Sequence, residues 1–199
     1  EVDSLRSMAD SNSGDALAGV DLTDDEYTIK QHLIRNKYRV YGPEGDLRVK
    51  AKQKLFKMRE EFPFVSPDGD PIFRVKASNI LDIAGDYTLV DERTDDPIAV
   101  LSKHFTFFHH VWTVTDPSGE ELAKIESRSA LVEALRSIST LFSLIPHSYS
   151  IETAEGEQVG SIEGRFSVRD VYDLTVDSGD VPKETLVASA IAIDALEGN

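Results

Sequence analysis

The feature that most constrains the fold is an apolar segment near the C-terminus, from Leu186 to Leu196. Asp180 or Pro182 can start a helix there, and Gly198 can stop it. Apolar side chains would then lie on every side of the helix, at positions 186, 187, 188, 190, 191, 192, 193, 195 and 196. Because no polar face remains to meet water, protein must surround this helix. At about 1.5 Å per residue it would span roughly 22 Å, close to the height of a small barrel.

A second pattern recurs from Tyr27 onward: an aromatic residue, an alternating strand, a turn containing an acid with Gly or Pro, and another strand. Six instances begin at Tyr38, Phe64, Tyr87, Trp112, Tyr149 and Tyr172. Six hairpin-like units imply about 12 strands. A sheet that closes around the terminal helix would bury it and remove exposed strand edges. The sequence therefore predicts a mainly β fold, a closed antiparallel barrel of about 12 strands around a buried hydrophobic C-terminal helix.

The sequence predicts two regions, an N-terminal tail and a barrel domain. Residues 1–26 are rich in Asp, Ser, Gly and Ala and lack sustained periodicity, which predicts a flexible acidic N-terminal tail. Residues 27–199 form the predicted barrel domain. An insertion at about residues 129–145 places Leu131, Leu135, Ile138 and Leu141 at helical spacing, so a short helix or simply a packed connector is expected there.

Charge and cysteine content restrict the classes of function. The chain carries 36 acids against 21 Lys and Arg, a net charge of -15, and no cysteine. This balance is typical of a cytoplasmic, halophilic protein; an acidic protein with a basic partner is the alternative. Nucleic-acid binding is disfavoured because the phosphate backbone would repel most of this surface. Disulfides and thiolate metal sites are excluded, and the apolar segment is about half of the roughly 20 residues that a membrane span needs.

The strands and helix also carry a family resemblance. It lies in Tyr149-Ser-Ile-Glu with Gly156, in Gly160-Ser-Ile-Glu-Gly-Arg-Phe166, in Tyr172-Asp-Leu-Thr-Val176 and in Val187-Ala-Ser-Ala-Ile-Ala-Ile-Asp194. Over about residues 27–198 the chain resembles the LURP-one-related branch of the tubby C-terminal-like superfamily, as an acidic member of haloarchaeal type. Tubby proteins imply phosphoinositide binding, and phospholipid scramblases imply a lipid-associated role. The metal-ion loop and cysteine cluster of scramblases are missing, so scrambling is not expected.

The candidate site is a basic hairpin. Residues 28–59 hold ten cations and only Glu44 and Asp46 as acids, a local charge of +8. The cations alternate with core-directed residues along two strands, which places them on the outer face. They could bind an anionic ligand or lipid headgroup, a nucleotide or an acidic protein partner. The predicted anion-binding residues are Arg35, Lys37 and Arg39 on the first strand, and Arg48, Lys50, Lys52 and Lys54 on the second.

The register of this hairpin affects its energetics. A turn centred on residues 42–45 would set position 39 opposite 48, 37 opposite 50 and 35 opposite 52. Like charges that face each other cost from a few tenths to about 1 kcal/mol for each pair, unless an anion lies nearby. The alternative to a binding site is neutralisation by acids of neighbouring strands, for which Glu60, Glu61, Asp82 and Asp91 are the candidates.

The other residue motifs do not indicate a catalytic or metal site. The five histidines, at positions 32, 104, 109, 110 and 147, lack metal-ligand spacing, and Asp68-Gly69-Asp70 lacks the spacing of an EF-hand. Hydrolase-elbow and phosphate-loop motifs are also missing. Asp194 on the apolar helix is expected at the barrel rim or paired with Arg165 or Arg169. No metal, cofactor or enzymatic activity is therefore predicted.

Two functions follow from these observations. The first is a non-enzymatic binding or scaffold protein that binds an anionic ligand or lipid headgroup through the basic hairpin. The alternative is a protein-interaction or oligomerisation module without a small-molecule ligand, for which Phe105, Phe107 and Phe108 would supply an apolar patch.

Overall fold

The computed structural model describes residues 17, 19–32, 37–51, 61–77, 86–105, 110–128, 148–165, 170–177 and 181–197. In these ranges it contains 12 strands and one helix. The strands are β1 (Glu26–His32), β2 (Lys37–Tyr41), β3 (Leu47–Ala51), β4 (Glu61–Val65), β5 (Pro71–Ala77), β6 (Asp86–Asp91), β7 (Pro97–Phe105), β8 (His110–Thr115), β9 (Glu121–Ser127), β10 (Ser148–Thr153), β11 (Gln158–Arg165) and β12 (Asp170–Val176). The helix is α1 (Lys183–Glu197).

The sheet is a closed antiparallel barrel. Each strand pairs with the next one along the chain, and β12 returns to pair with β1, from Glu26 opposite Thr175 to Gln31 opposite Asp170. The predicted number of strands, their antiparallel pairing and the closure of the sheet are confirmed. The tight connections β2–β3, β4–β5, β6–β7, β8–β9 and β10–β11 all fall at one end of the barrel, called here the turn end.

The centre of the barrel is filled by α1, as the apolar pattern predicts. Every side chain from Leu186 to Ala195 is at most 4% exposed, including Ser189 and Asp194. Inward residues of the strands surround the helix, and the largest of them are Trp112, Tyr27, Tyr38, Phe62, Phe64 and Phe73. Burial on all sides supplies the solvent exclusion that a helix without a polar face requires.

Core packing begins before the predicted domain boundary at residue 26. Leu22 is fully buried and Leu17 is 8% exposed, and both belong to the hydrophobic core. Asp25 binds the turn end twice: its carbonyl oxygen accepts a 2.8 Å hydrogen bond from the Val176 amide, and its carboxylate pairs with Lys183 at the start of α1. Residues 1–16 and the predicted insertion helix at about 129–145 lie outside the described residues.

Ser189 provides a test of the enclosed helix. Its hydroxyl is fully buried and has no hydrogen-bond partner in the part of the chain that the structure describes. A buried hydroxyl without a partner carries a desolvation cost of about 1–3 kcal/mol. We expect Ser189→Ala to raise the free energy of unfolding by up to about 1 kcal/mol, because a small cavity offsets part of the gain. Chemical denaturation followed by circular dichroism measures this change.

The matched control is Ala190→Ser, at a fully buried position of the same helix. It adds a hydroxyl to the core and should lower the free energy of unfolding by about 1–3 kcal/mol. If Ser189→Ala instead destabilised the chain by more than 1 kcal/mol, the hydroxyl would have a partner and the packing described above would be wrong.

Candidate anion-binding site

Three cations lie side by side on the outer face of β1, β2 and β3. Lys30 stands opposite Arg39, and Arg39 stands opposite Lys50. Their outward direction follows from strand alternation, because the neighbouring residues Val40 and Val49 point inward and are fully buried. Adjacent strands are about 4.8 Å apart, so the three residues form a row about 10 Å long. This set, Lys30, Arg39 and Lys50, is called the cation row.

The cation row has no carboxylate partner among the described residues. Lys30 Nζ lies 4.5 Å from the centroid of the Tyr41 ring, a cation–π contact. Lys50 Nζ donates a 2.7 Å hydrogen bond to the carbonyl oxygen of Pro67. Each of the three side chains is half-buried, and the exposed Lys37 lies beside Arg39 on the same face of β2. These contacts position the ammonium groups without neutralising them.

Arg48 differs from the cation row. Its guanidinium lies 3.0 Å from Asp24 Oδ2 and 2.5 Å from Asp46 Oδ2, and it also approaches the Asp21 carbonyl oxygen at 3.4 Å. Arg48 is therefore neutralised, by residues that precede β1 and by the β2–β3 turn. The predicted basic hairpin thus divides into a paired arginine near the turn and, farther along the strands, cations without a carboxylate partner in the ranges that the structure describes.

Of the acids that the sequence suggested as neutralising partners, the two that the structure describes, Glu61 and Asp91, contact other groups. Glu61 pairs with Arg74 and Lys76 on β5. The Asp91 carboxylate accepts hydrogen bonds from the backbone amides of Arg93 and Thr94. Glu60 and Asp82 lie outside the described residues, as do the predicted site residues Arg35, Lys52 and Lys54.

The predicted register of the hairpin is wrong by two residues, because Arg39 faces Lys50 rather than Arg48. The turn has five residues: Tyr41 faces Leu47, and the Gly42 amide bonds the Asp46 carbonyl oxygen. A β-bulge between Val40 and Tyr41 shifts the pairing of β2 with β3 by one further residue. The expectation that like charges meet across the hairpin nevertheless holds for Arg39 and Lys50.

Sequence reasoning missed Lys30 as a member of the site. Its signal was present, since Tyr27 and Ile29 alternate with Thr28 and Lys30 and indicate a strand with Lys30 on its polar face. What the sequence did not provide was the pairing of this strand with β2, which brings Lys30 opposite Arg39.

Asp194 joins α1 to the strands that carry the row. Its Oδ2 lies 2.8 Å from the Tyr38 hydroxyl and accepts a 2.9 Å hydrogen bond from Gln31 Nε2. The predicted pairing with Arg165 is wrong, because Arg165 binds Asp173 on β12. Arg169 lies outside the described residues. Tyr38 and Gln31 thus satisfy a buried carboxylate and attach the end of α1 to β2 and β1.

The remaining candidate residues do not form a second functional site within the described ranges. His104 Nε2 lies 3.0 Å from the Thr113 hydroxyl, and no group of three His, Asp or Glu in these ranges could hold a metal ion. Among the same residues, no helix is long and apolar enough to cross a membrane.

The predicted apolar patch falls on Phe107 and Phe108, outside the described residues, and on Phe105, whose side chain is not described.

The Tyr38–Asp194 contact predicts a dependence of stability on pH. Burial, together with the nearby Asp194 charge, raises the pKa of Tyr38 well above its usual value of 10.0. Because the folded chain holds this proton more tightly, the stabilisation is complete below pH 10.0 and decreases as the pH rises above that value. Tyr38→Phe should destabilise the chain by about 1–3 kcal/mol near neutral pH and reduce this alkaline loss.

Urea denaturation between about pH 8 and about pH 11 measures both effects. Tyr41→Phe, on the outer face of β2, is the matched control and should retain the alkaline loss of the parent chain. An identical alkaline loss in Tyr38→Phe and the parent would contradict the assignment to Tyr38.

Comparisons with known proteins bear on both the fold and the family. A crystal structure of a protein from Arabidopsis thaliana is similar to 88% of this chain and 94% of its own, with a TM-score of 0.55 and 9% sequence identity. At that identity the likeness concerns the fold alone. A search of curated proteins finds no significant match. The family description LURP-one-related matches residues 47–194, which include ten of the strands and most of α1. The chain belongs to the LURP-one-related family.

Proposed function

We propose that this chain is a non-enzymatic binding protein whose cation row binds a phosphate-bearing anion. One observation carries the proposal: Lys30, Arg39 and Lys50 stand side by side without a carboxylate partner among the described residues. Membership of the LURP-one-related family is consistent with a non-enzymatic binding or scaffold role. The proposed location is the cytoplasm, as the acidic composition predicts.

The energetics of the row favour an anion. Two pairs of like charges, Lys30 with Arg39 and Arg39 with Lys50, face each other directly. Each pair costs from a few tenths to about 1 kcal/mol when no anion lies nearby. A phosphate monoester carries about -1.5 to -2 charges and three acceptor oxygens, so it would replace repulsion by charge-assisted hydrogen bonds. The planar guanidinium of Arg39 suits two phosphate oxygens, with the two lysines as point charges on either side.

The arrangement contrasts with cations elsewhere on the barrel. Arg74 on β5 contacts three acids, Glu61, Glu92 and Asp95. Arg128 pairs with Glu163 across the β9–β11 surface. In a chain with a net charge of -15, acids are available to pair with most cations. Across the described part of the chain, the lack of a carboxylate partner at three adjacent positions therefore supports a binding role for them.

The test replaces the row by neutral side chains. Lys30→Gln, Arg39→Gln and Lys50→Gln together should weaken sedimentation with vesicles of phosphatidic acid and phosphatidylcholine. A cation near an anionic membrane surface contributes about 1 kcal/mol, so the loss should be about a hundredfold at low salt. Binding by the parent should also decrease with salt, since the Debye length falls from about 10 Å at 0.1 M to about 3 Å at 1 M.

The matched control carries the same change of charge at paired cations. Lys76→Gln, Lys124→Gln and Arg128→Gln remove cations that already contact Glu61, Glu121 and Glu163. This triple variant should bind like the parent. Equal losses in the two variants, or no binding by the parent to either vesicles or inorganic phosphate, would contradict the proposal.

Inorganic phosphate distinguishes the two sources of the ligand. A lipid headgroup predicts vesicle binding that millimolar phosphate displaces only weakly, because several headgroups engage the surface together. A free phosphorylated molecule predicts that phosphate itself shifts the amide resonances of β1, β2 and β3, while vesicles do not bind. In either case, loss of the binding in the cation-row variant would locate the phosphate at the row, and the two outcomes identify different partners.

A further inference from the structure

We propose that the phosphate-bearing ligand of the cation row is an ester of a polyol, whose hydroxyl groups lie in a groove beside the row. This inference rests on the proposed function and deepens it, because it names the chemical class of the ligand at the same surface. The groove supplies hydrogen bonds that a bare phosphate or an alkyl phosphate would not use.

The groove lies on the outer face of β1 and β12 and has a volume of about 420 Å³. Its floor is formed by two adjacent pairs of facing residues, Glu26 opposite Thr175 and Thr28 opposite Asp173. These four side chains point outward, because the residues between them on both strands are buried in the core. The groove therefore presents carboxylates and hydroxyls to a ligand.

The two walls of the groove are held by contacts within the protein. On one side lies the β2–β3 turn, with Gly42 and Pro43. The Gly42 amide donates a 2.9 Å hydrogen bond to the Asp46 carbonyl oxygen, which closes this turn. On the other side Arg165 extends from β11 and binds Asp173. Because both walls are already fixed, a ligand would not have to order them on binding.

The groove is continuous with the cation row. Thr28 lies two residues from Lys30 on the outer face of β1, about 7 Å away along the strand. The Lys30 ammonium lies over the ring of Tyr41, and Tyr41 faces Thr28 across the β1–β2 pair. A phosphate at this ammonium would therefore lie near Thr28, with Glu26 about another 7 Å along β1. A polyol of a few carbons covers that distance.

The polar groups of the groove suit hydroxyl groups. Within the described ranges, the Glu26 carboxylate has no cation partner, and the hydroxyls of Thr28 and Thr175 have no side-chain partner. A carboxylate only accepts hydrogen bonds, whereas a threonine hydroxyl both donates and accepts them. A polyol offers donors and acceptors together, so it can satisfy all three residues.

A ligand with an ammonium group fits the groove less well. The Arg165 guanidinium lines the groove and neutralises Asp173. It would repel an ammonium, but it can donate a hydrogen bond to a hydroxyl oxygen. This mixture of groups favours a neutral polyhydroxyl moiety over a cationic one.

A matched pair of ligands isolates the contribution of the hydroxyls. Glycerol 3-phosphate and propyl phosphate have the same phosphate and the same carbon chain, and they differ only in the two hydroxyl groups of the former. We expect glycerol 3-phosphate to bind about tenfold more tightly, because one net hydrogen bond to a charged group corresponds to about this factor. Titrations followed through the amide resonances of β1 and β12 measure both dissociation constants.

Variants of the groove locate the hydroxyls of the ligand. Thr28→Val with Thr175→Val keeps the charge and the branched shape, and should reduce the preference to about twofold or less with the affinity for propyl phosphate unchanged. Glu26→Ala should also reduce the preference, and the ratio of the two affinities cancels the effect of the lost charge on the phosphate. The matched control, Thr88→Val with Thr115→Val on the outer faces of β6 and β8, should retain the tenfold preference of the parent.

The titrations separate a failure of the groove from a failure of the anion site. Equal affinities of the parent for glycerol 3-phosphate and propyl phosphate would overturn the polyol class and retain the anion site. A preference that survives in both the Thr28/Thr175 variant and Glu26→Ala would overturn the assignment to the groove. Tighter binding of phosphoethanolamine than of glycerol 3-phosphate would identify an ammonium ligand and also overturn it. Lack of binding to both esters, to inorganic phosphate and to vesicles would contradict the proposed function itself.

Vesicles distinguish a lipid headgroup from a free polyol phosphate. Phosphatidylglycerol and phosphatidylpropanol carry the same charge and differ by the same hydroxyl groups. A preference for phosphatidylglycerol vesicles would identify a lipid headgroup, and a preference for glycerol 3-phosphate without vesicle binding would identify a soluble ester. Both results uphold the polyol class. Equal binding to the two kinds of vesicle, together with equal affinity for the two soluble esters, would overturn it.

Discussion

The structure depends on the need to keep every side of α1 away from water. A helix with apolar residues on its whole circumference has no solvent-compatible face, and 12 strands that close on themselves supply the enclosure. Closure also sets the direction of the strand side chains. Inward positions must be apolar to contact the helix, so polar residues on the same strands point outward. The cation row is thus placed by the same alternation that buries Tyr38, Val40 and Val49.

Asp194 is an acidic residue buried inside this enclosure, and its neighbours explain how it is accommodated. Burial of a carboxylate is costly unless hydrogen bonds compensate it. Gln31 and Tyr38 contact Asp194, and they belong to the two strands that also carry Lys30 and Arg39. The interior contact therefore fixes the position of the helix relative to the outer surface proposed to bind anions.

Much of the fold could be predicted because it follows from local periodicity. The apolar circumference of α1, the recurring hairpins and the outward direction of Arg39 and Lys50 are properties of short sequence windows. The register could not be predicted, since it depends on a five-residue turn and a bulge at Val40 and Tyr41. The role of Lys30, the partners of Asp194 and the burial of Leu22 depend on contacts between distant segments. Such contacts leave no signal in local periodicity.

The order of the elements along the chain has a consequence for biosynthesis. All 12 strands precede α1, and β12 must return to β1 to complete the ring. During translation the strands emerge before the segment around which they close, so the apolar faces of the nascent sheet lack their central partner. The domain should therefore acquire its native form only after α1 has left the ribosome, and until then it should depend on chaperones to avoid aggregation.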